Sequence, residues 1–303
     1  MSHQQNQQPI TPHHVGPGLG LAARWLGEAN RTGLVLEGGA LRGLFSAGVM
    51  DVMLELGIEV QGVVGVSAGA AFGVNYVSRQ SGRALRYNQR FAGDRRYCGL
   101  WSLLTTGDYF NAEFAFHTVP REYDLFDNEA FESSPVDYHI VTTDVLTGKP
   151  HYRPIKQGGE VLYEWIRASS SMPMVSRIVE LDGMKLLDGG ISDSIPLRYM
   201  ESQGYDRNIV VLTQPVGFIK KPNPLMWLAR IMLRRYPALL DAMARRHEMY
   251  NEELEYVARR ARDGAAIVIQ PDEPLPISRL SSDPAKMQAT YDLGVAAARR
   301  AFR

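Results

Sequence analysis

The chain has 303 residues, of which 45% are hydrophobic and 22% charged, and its 33 basic and 33 acidic side chains give a formal net charge of zero. That length supports one large core or two modest ones, and the charge balance gives no general electrostatic case for a nucleic-acid partner. The single cysteine, Cys98, excludes an internal disulfide and suits a reducing compartment, so a cytoplasmic protein is expected; no run reaches the ~20 apolar residues of a membrane span, so bilayer contact is at most peripheral.

Residues 1–20 are rich in Gln, His, Pro and Gly and lack the apolar heart of a secretory signal, so a flexible N-terminal tail is expected over residues 1–30, ahead of one domain at 31–303. The pair His13-His14 has no carboxylate or cysteine framework around it and reads as tail rather than metal site. The first strand is predicted at 33–37. It runs into Glu37-Gly38-Gly39-Ala40-Leu41-Arg42-Gly43, after which Leu44, Val49, Val52, Met53 and Leu56 recur at helical spacing. Glycines at a helix start leave backbone N–H groups unpaired and facing outward, where negative charge is favoured. A P-loop would need Gly-Lys-Ser/Thr at its end and a dinucleotide fingerprint a first Gly-x-Gly pair; this loop has neither. The same amides can instead receive an oxyanion, or the loop can serve packing alone.

A second strand, 62–66, ends in Gly65-Val66-Ser67-Ala68-Gly69 and opens the small-residue helix that begins Ala70-Ala71-Phe72-Gly73. A serine on so sharp a strand-to-helix turn points its hydroxyl into a cleft, while the flanking glycines allow close backbone approach. Residues 82–132 follow, mixing Arg83, Arg86, Arg90, Arg95 and Arg96 with Tyr87, Phe91, Tyr97, Trp101, Tyr109 and Phe110. On a neutral protein this reads as an inserted helical cap that shapes a pocket over the site. Further strands are predicted at 138–142, 151–154, 178–181, 185–187, 208–213 and 266–270, alternating with helices in the manner of an α/β layered fold with a mainly parallel sheet.

The strand at 185–187 runs into Asp188-Gly189-Gly190, where a carboxylate can approach a serine from another strand end without obstruction; Asp-Gly also marks an ordinary turn. A serine–acid–histidine esterase needs a late histidine to relay the proton. After Asp188 there is only His247, inside the charged run Arg245-Arg246-His247-Glu248, which reads as a solvated helix face. The stretch from Lys220 to Tyr236 sets Leu225, Met226, Trp227, Ile231 and Met232 among Lys and Arg residues, a pattern shared by interfacial helices and by core helices with snorkelling cations. Helices at 241–262 and 283–302 carry no evident site.

Taken in order, the glycine loop ending Arg42-Gly43, the serine turn Gly65-Val66-Ser67-Ala68-Gly69 and Asp188-Gly189-Gly190 resemble the patatin-like phospholipases, serine lipid acyl hydrolases that use a Ser-Asp dyad. Ala168-Ser169-Ser170-Ser171-Met172-Pro173 is similar to the Ala-Ser segment that precedes the aspartate strand in that family, and the likeness extends over about residues 31–215. The resemblance implies a three-layer α/β/α fold with a helical cap and an acyl-enzyme mechanism on a lipid or ester substrate. In it Ser67 is the nucleophile, Asp188 its base, and the amides near Gly38, Gly39 and Ala40 form the oxyanion hole, with Arg42 holding the loop or balancing an anionic substrate. No metal or cofactor is implied. One departure is Ala40, where the family loop usually carries a third glycine; the hole survives provided the backbone there does not require positive φ. An acyltransferase, a thioesterase and a lipid-binding module with an idle site share this pattern, and the sequence leaves oligomeric state unread.

Overall fold

The computed structural model describes residues 20–97, 99–109, 111–278 and 281–303. Most of the expected tail, His13, His14, Cys98 and Phe110 lie outside the described residues. The last part of the expected tail span forms α1 (Gly20–Gly27), which is docked: the Trp25 indole donates to the Gly264 carbonyl at 2.7 Å, and Arg207 donates to the Trp25 carbonyl at 2.8 Å.

All eight expected strands form, as one sheet: β1 (Thr32–Leu36), β2 (Gly62–Val66), β3 (Asp137–Asp144), β4 (Pro150–Ile155), β5 (Val179–Leu181), β6 (Met184–Asp188), β7 (Arg207–Val211) and β8 (Ala266–Ile269). Spatial order is β5-β6-β3-β2-β1-β7-β8, with β4 also on β3. The five strands from β3 to β8 are parallel, whereas β4, β5 and β6 pair antiparallel. Strands β1 and β2 are buried throughout, which is why they read as short apolar runs rather than as alternating ones.

Between the strands lie α2 (Leu44–Glu55), α3 (Ala68–Val77), α4 (Arg83–Arg90), α5 (Leu100–Thr106), a π-helix (Phe114–Tyr123), α6 (Asn128–Ser133), α7 (Gly159–Ser170), α8 (Leu197–Ser202), α9 (Met226–Met232) and α10 (Pro237–Arg262), and α11 (Pro284–Ala301) follows the last of them. Leu34, Leu36 and Val211 face a core shared with α2, α3 and α7, while Val35, Val64 and Val210 face the opposite core, closed by α8 and α10. That alternation makes the three layers. Helices α2 and α11 cross in close contact: a Cβ on Gly294 would meet the Phe45 carbonyl oxygen at 2.0 Å and one on Gly48 the Tyr291 carbonyl oxygen at 2.3 Å.

Four of the five arginines singled out in residues 82–132 pair with groups of the protein itself. Arg83 and Arg86 both pair with Asp124, at 3.3 and 2.7 Å. Arg90 donates to the Tyr123 carbonyl and lies over the Phe91 ring, and Arg96 pairs with Asp94 while covering Phe114.

Candidate active site

Strand β2 ends at Val66 and α3 starts at Ala68, so Ser67 alone makes the turn, with φ 55° and ψ −120°. A non-glycine residue held there stores roughly 1–3 kcal/mol and stays only if its surroundings over-determine it. They do. The Ser67 N–H donates to Ser169 Oγ at 2.9 Å, and Ser169, fully buried on α7, donates in turn to the Val141 carbonyl at 2.6 Å. Close approach explains the flanking glycines: a Cβ on Gly65 would lie 2.6 Å from the Ala70 backbone, and one on Gly69 2.4 Å from the Leu36 carbonyl oxygen. Gly43 is similarly confined, its Cβ position 2.9 Å from the Ala68 methyl.

The loop after β1 is anchored by its first residue. Glu37 is buried and accepts from the Thr213 amide at 2.6 Å, the Thr213 hydroxyl at 3.2 Å and the Tyr250 hydroxyl at 2.7 Å. Burial, followed by this carboxylate's charge, pushes the Tyr250 phenol well above its ordinary range. Beyond Glu37, the amides of Gly38, Gly39 and Ala40 have no acceptor among the described residues. Gly38 lies so near the serine turn that a Cβ there would be 3.0 Å from the Ser67 Cβ. Ala40 has φ 49°, so the backbone does require the left-handed region here, contrary to the condition set from sequence. Alanine adopts it at a cost of roughly 1–2 kcal/mol, and its amide is retained.

Asp188 ends β6, which runs antiparallel to β3, so it is not at the carboxyl end of a parallel strand as Ser67 is. Register makes up the difference: Val66 pairs with Val141, and the next residue of β3, Thr142, pairs with Asp188. Ser67 and Asp188 therefore flank Thr142 in one row across the sheet, with Cα atoms about 10 Å apart from two strand spacings. The Asp188 carboxylate accepts the Gly190 amide at 2.8 Å, and the Asp188 amide donates to the Ser171 carbonyl at 2.8 Å. Gly189 admits no side chain, since its Cβ would sit 2.3 Å from the Val141 carbonyl oxygen.

Two cavities meet at Ser67. One is a cleft of about 520 Å³ whose lining includes Ser67, Asp188, Gly38, Gly39, Ala40 and Arg42, together with Gly190, Lys220, Lys221, Arg246 and His247. The other, about 100 Å³, runs beneath the 83–126 segment and is lined largely by apolar groups such as Leu41, Phe72, Phe116, Val119 and Ile166. Of the residues singled out from sequence, Gly43, Gly65, Gly69 and Gly189 line neither and serve backbone packing.

Sequence reasoning expected a helix at 241–262 without an evident site and missed that α10 reaches the cleft. His247 was expected on a solvated face; its side chain is only 24% exposed and lines the cleft, with Nδ1 3.0 Å from the Ala244 carbonyl oxygen. Arg246 Nε donates to the Gly190 carbonyl, and Tyr250 holds Glu37. Glu253 accepts the Ser194 amide at 3.1 Å and the Ile195 amide at 3.1 Å, fixing the chain just past the aspartate motif. Burial raises the pKa of both Glu253 and its hydrogen-bonded neighbour Asp193, and for Glu253 the Asp193 charge adds to it. The Tyr152 hydroxyl donates to Asp193 at 2.6 Å. The readable signal was spacing: Leu239, Met243, Arg246, Tyr250, Glu253 and Val257 form a single 4-3-4-3-4 stripe.

Comparison with known proteins bears on the family. Residues 34–200 match the family model described as patatin-like phospholipase, and residues 236–303 match a domain of unknown function. The uncharacterized protein YjjU of Escherichia coli is 26% identical over 94% of this chain and 80% of its own length. Lysophospholipase NTE1 of Chaetomium globosum is 30% identical over 67% of this chain, and lysophospholipase nte1 of Aspergillus fumigatus 29% over 68%, but the match spans only 13% of either fungal protein. The solved structure of VipD from Legionella pneumophila aligns with a TM-score of 0.46 at 11% identity, over 90% of this chain and 66% of that one.

Proposed function

The chain belongs to the patatin-like phospholipase family, a family of lipid ester hydrolases, and from that premise we propose that it cleaves carboxylic ester bonds of lipids through Ser67 and Asp188. Asp188 takes the hydroxyl proton as Ser67 Oγ attacks the ester carbonyl. The Gly38, Gly39 and Ala40 amides receive the charge that develops on the carbonyl oxygen, which is worth about 3 kcal/mol of barrier per donor. Collapse of the tetrahedral adduct expels the alcohol, which takes up the proton from Asp188, and leaves the acyl group on Ser67. Water, deprotonated by Asp188, then attacks the acyl carbonyl, and collapse releases the fatty acid as Ser67 Oγ takes the proton back from Asp188.

The observation that carries the reading is that Ser67 lines both cavities: an acyl chain fits the apolar one, under the 83–126 segment acting as a cap, and the alcohol portion fits the cleft with Arg42, Lys220, Lys221 and Arg246. The names of the fungal relatives make lysophospholipids the first substrates to test. The lone cysteine suits a cytoplasmic setting.

Labelling with a fluorophosphonate probe, followed by mapping of the modified peptide, tests the assignment. The label should fall on Ser67 and vanish in Ser67→Ala. Hydrolysis of a short-chain ester should drop at least about 10³-fold in Ser67→Ala and Asp188→Asn. His247→Ala should retain label and turnover; its loss of both, with Asp188→Asn active, would hand the base role to the histidine.

A further inference from the structure

Between residues 215 and 240 the chain has no acidic side chain and five basic ones, Lys220, Lys221, Arg230, Arg234 and Arg235, within a protein of zero net charge. The next acid, Asp241, is already paired with Arg245. The same segment exposes large apolar side chains: Val216 is 61% exposed, Ile219 72%, Trp227 61% and Ile231 63%. Helix α9 explains why this is unusual. Its Met226 and Ala229, with Leu233 just past its end, pack inward with Leu187, Ile191 and Leu239, which already satisfies the one apolar face that a surface helix needs. Trp227 and Ile231, one turn apart, form a second apolar stripe on the outer side, beside the exposed Arg230 and Arg234. The patch continues into the reaction cleft, since Lys220, Lys221, Asn223 and Leu225 form part of its wall.

We propose that residues 216–235 seat the protein on an anionic lipid surface, with the mouth of the Ser67 cleft turned toward the headgroups. This rests on the reading of that cleft as a lipid acyl site. The two halves of the patch match the two layers of a bilayer surface: apolar tips enter the boundary between headgroups and acyl chains, and cations flanking them meet the anionic headgroups. A second copy of this chain is a poor occupant, because a two-fold contact through the patch would set five positive charges against five. Each basic side chain near an anionic bilayer contributes about five-fold in partitioning, so removing three lowers it about a hundred-fold.

The test uses the full chain carrying Ser67→Ala, so that vesicles stay intact and binding is read independently of which residue is the nucleophile. Co-sedimentation is measured with vesicles of phosphatidylcholine alone and of equimolar phosphatidylcholine and phosphatidylglycerol. Binding should favour the anionic vesicles, weaken in high salt, fall about a hundred-fold in Arg230→Gln/Arg234→Gln/Arg235→Gln, and fall on both vesicle types in Trp227→Ala/Ile231→Ala. On the catalytically intact background, both variants should still turn over a soluble short-chain ester while losing turnover on vesicles. Unchanged binding in both variants, equal binding to neutral and anionic vesicles, or a wild-type dimer that the variants turn into monomers would each overturn the proposal. Loss of soluble-ester turnover in Ser67→Ala together with unaltered vesicle binding in the patch variants would sink the docking surface and leave the catalytic reading standing.

Discussion

Replacing Ser169 with alanine tests how the serine turn is held. The Ser169 hydroxyl is fully buried and bridges two backbone groups, accepting from the Ser67 N–H at 2.9 Å and donating to the Val141 carbonyl at 2.6 Å. Each such bond contributes a net ~1 kcal/mol, and a buried partner left unsatisfied costs roughly 1–3 kcal/mol, so Ser169→Ala should lose about 2–4 kcal/mol of unfolding free energy. Part of the loss appears in catalysis. The ~1–3 kcal/mol stored in the Ser67 backbone is then free to relax, which turns the hydroxyl from its attacking position. At about 1.4 kcal/mol per factor of ten, kcat on a soluble short-chain ester should fall about ten- to a hundred-fold, with KM little changed. Urea unfolding gives the first number and steady-state kinetics the second. Wild-type kcat in a destabilised Ser169→Ala would refute the claim that this hydroxyl positions the nucleophile.

Two further substitutions probe the surroundings. Ala40→Gly relieves the positive φ at 49°; with about 1–2 kcal/mol of strain removed and about 0.5–1 kcal/mol returned as chain entropy, calorimetry should show a gain of roughly 0.5–1 kcal/mol with turnover preserved. A lower melting temperature would contradict the strain. For Glu253, burial first and then the Asp193 charge raise the folded pKa well above the ordinary 4.5. The native state therefore holds more protons than the unfolded chain once the pH passes 4.5, and the stability this lends is complete below that pH and disappears as the pH rises through the folded value. Glu253→Gln keeps an acceptor for the Ser194 and Ile195 amides and gives Asp193 a donor. It should flatten the decline of stability measured by urea unfolding between pH 5 and pH 8, adding about 1 kcal/mol at the upper end. An unchanged slope would place the proton elsewhere.

Much of the fold was legible because strands such as β1, β2, β7 and β8 are short apolar runs, and all eight were placed from sequence to within a few residues of their observed ends. The serine turn was legible for a local reason: Gly65 and Gly69 have no room for a side chain. What brings Asp188 near Ser67 was not. The sequence suggested two strand ends of a mainly parallel sheet, yet β6 is antiparallel, and only the register across Thr142 brings the two ends level. Ala40 misled in the opposite direction, since alanine gives no warning of a left-handed backbone. The role of α10 was hidden by composition: Arg246 and Glu253 look like solvated charges, and only the inward stripe they share with Leu239, Met243, Tyr250 and Val257 reveals that they face the protein. Helix α1 was not legible, because it is secured by Gly264 and Arg207, contacts that span most of the chain.

Because Tyr250 secures the first residue of the glycine loop, Arg246 the second glycine after Asp188, and Glu253 the turn beyond it, the cleft is braced by a helix that lies wholly outside the stretch matching the phospholipase model. The two matched stretches are thus not interchangeable modules. A chimera that joined residues 34–200 to a foreign carboxyl-terminal third would inherit Ser67 but not its scaffolding, unless the graft reproduced the same arginine, tyrosine and glutamate rungs at four- and three-residue steps.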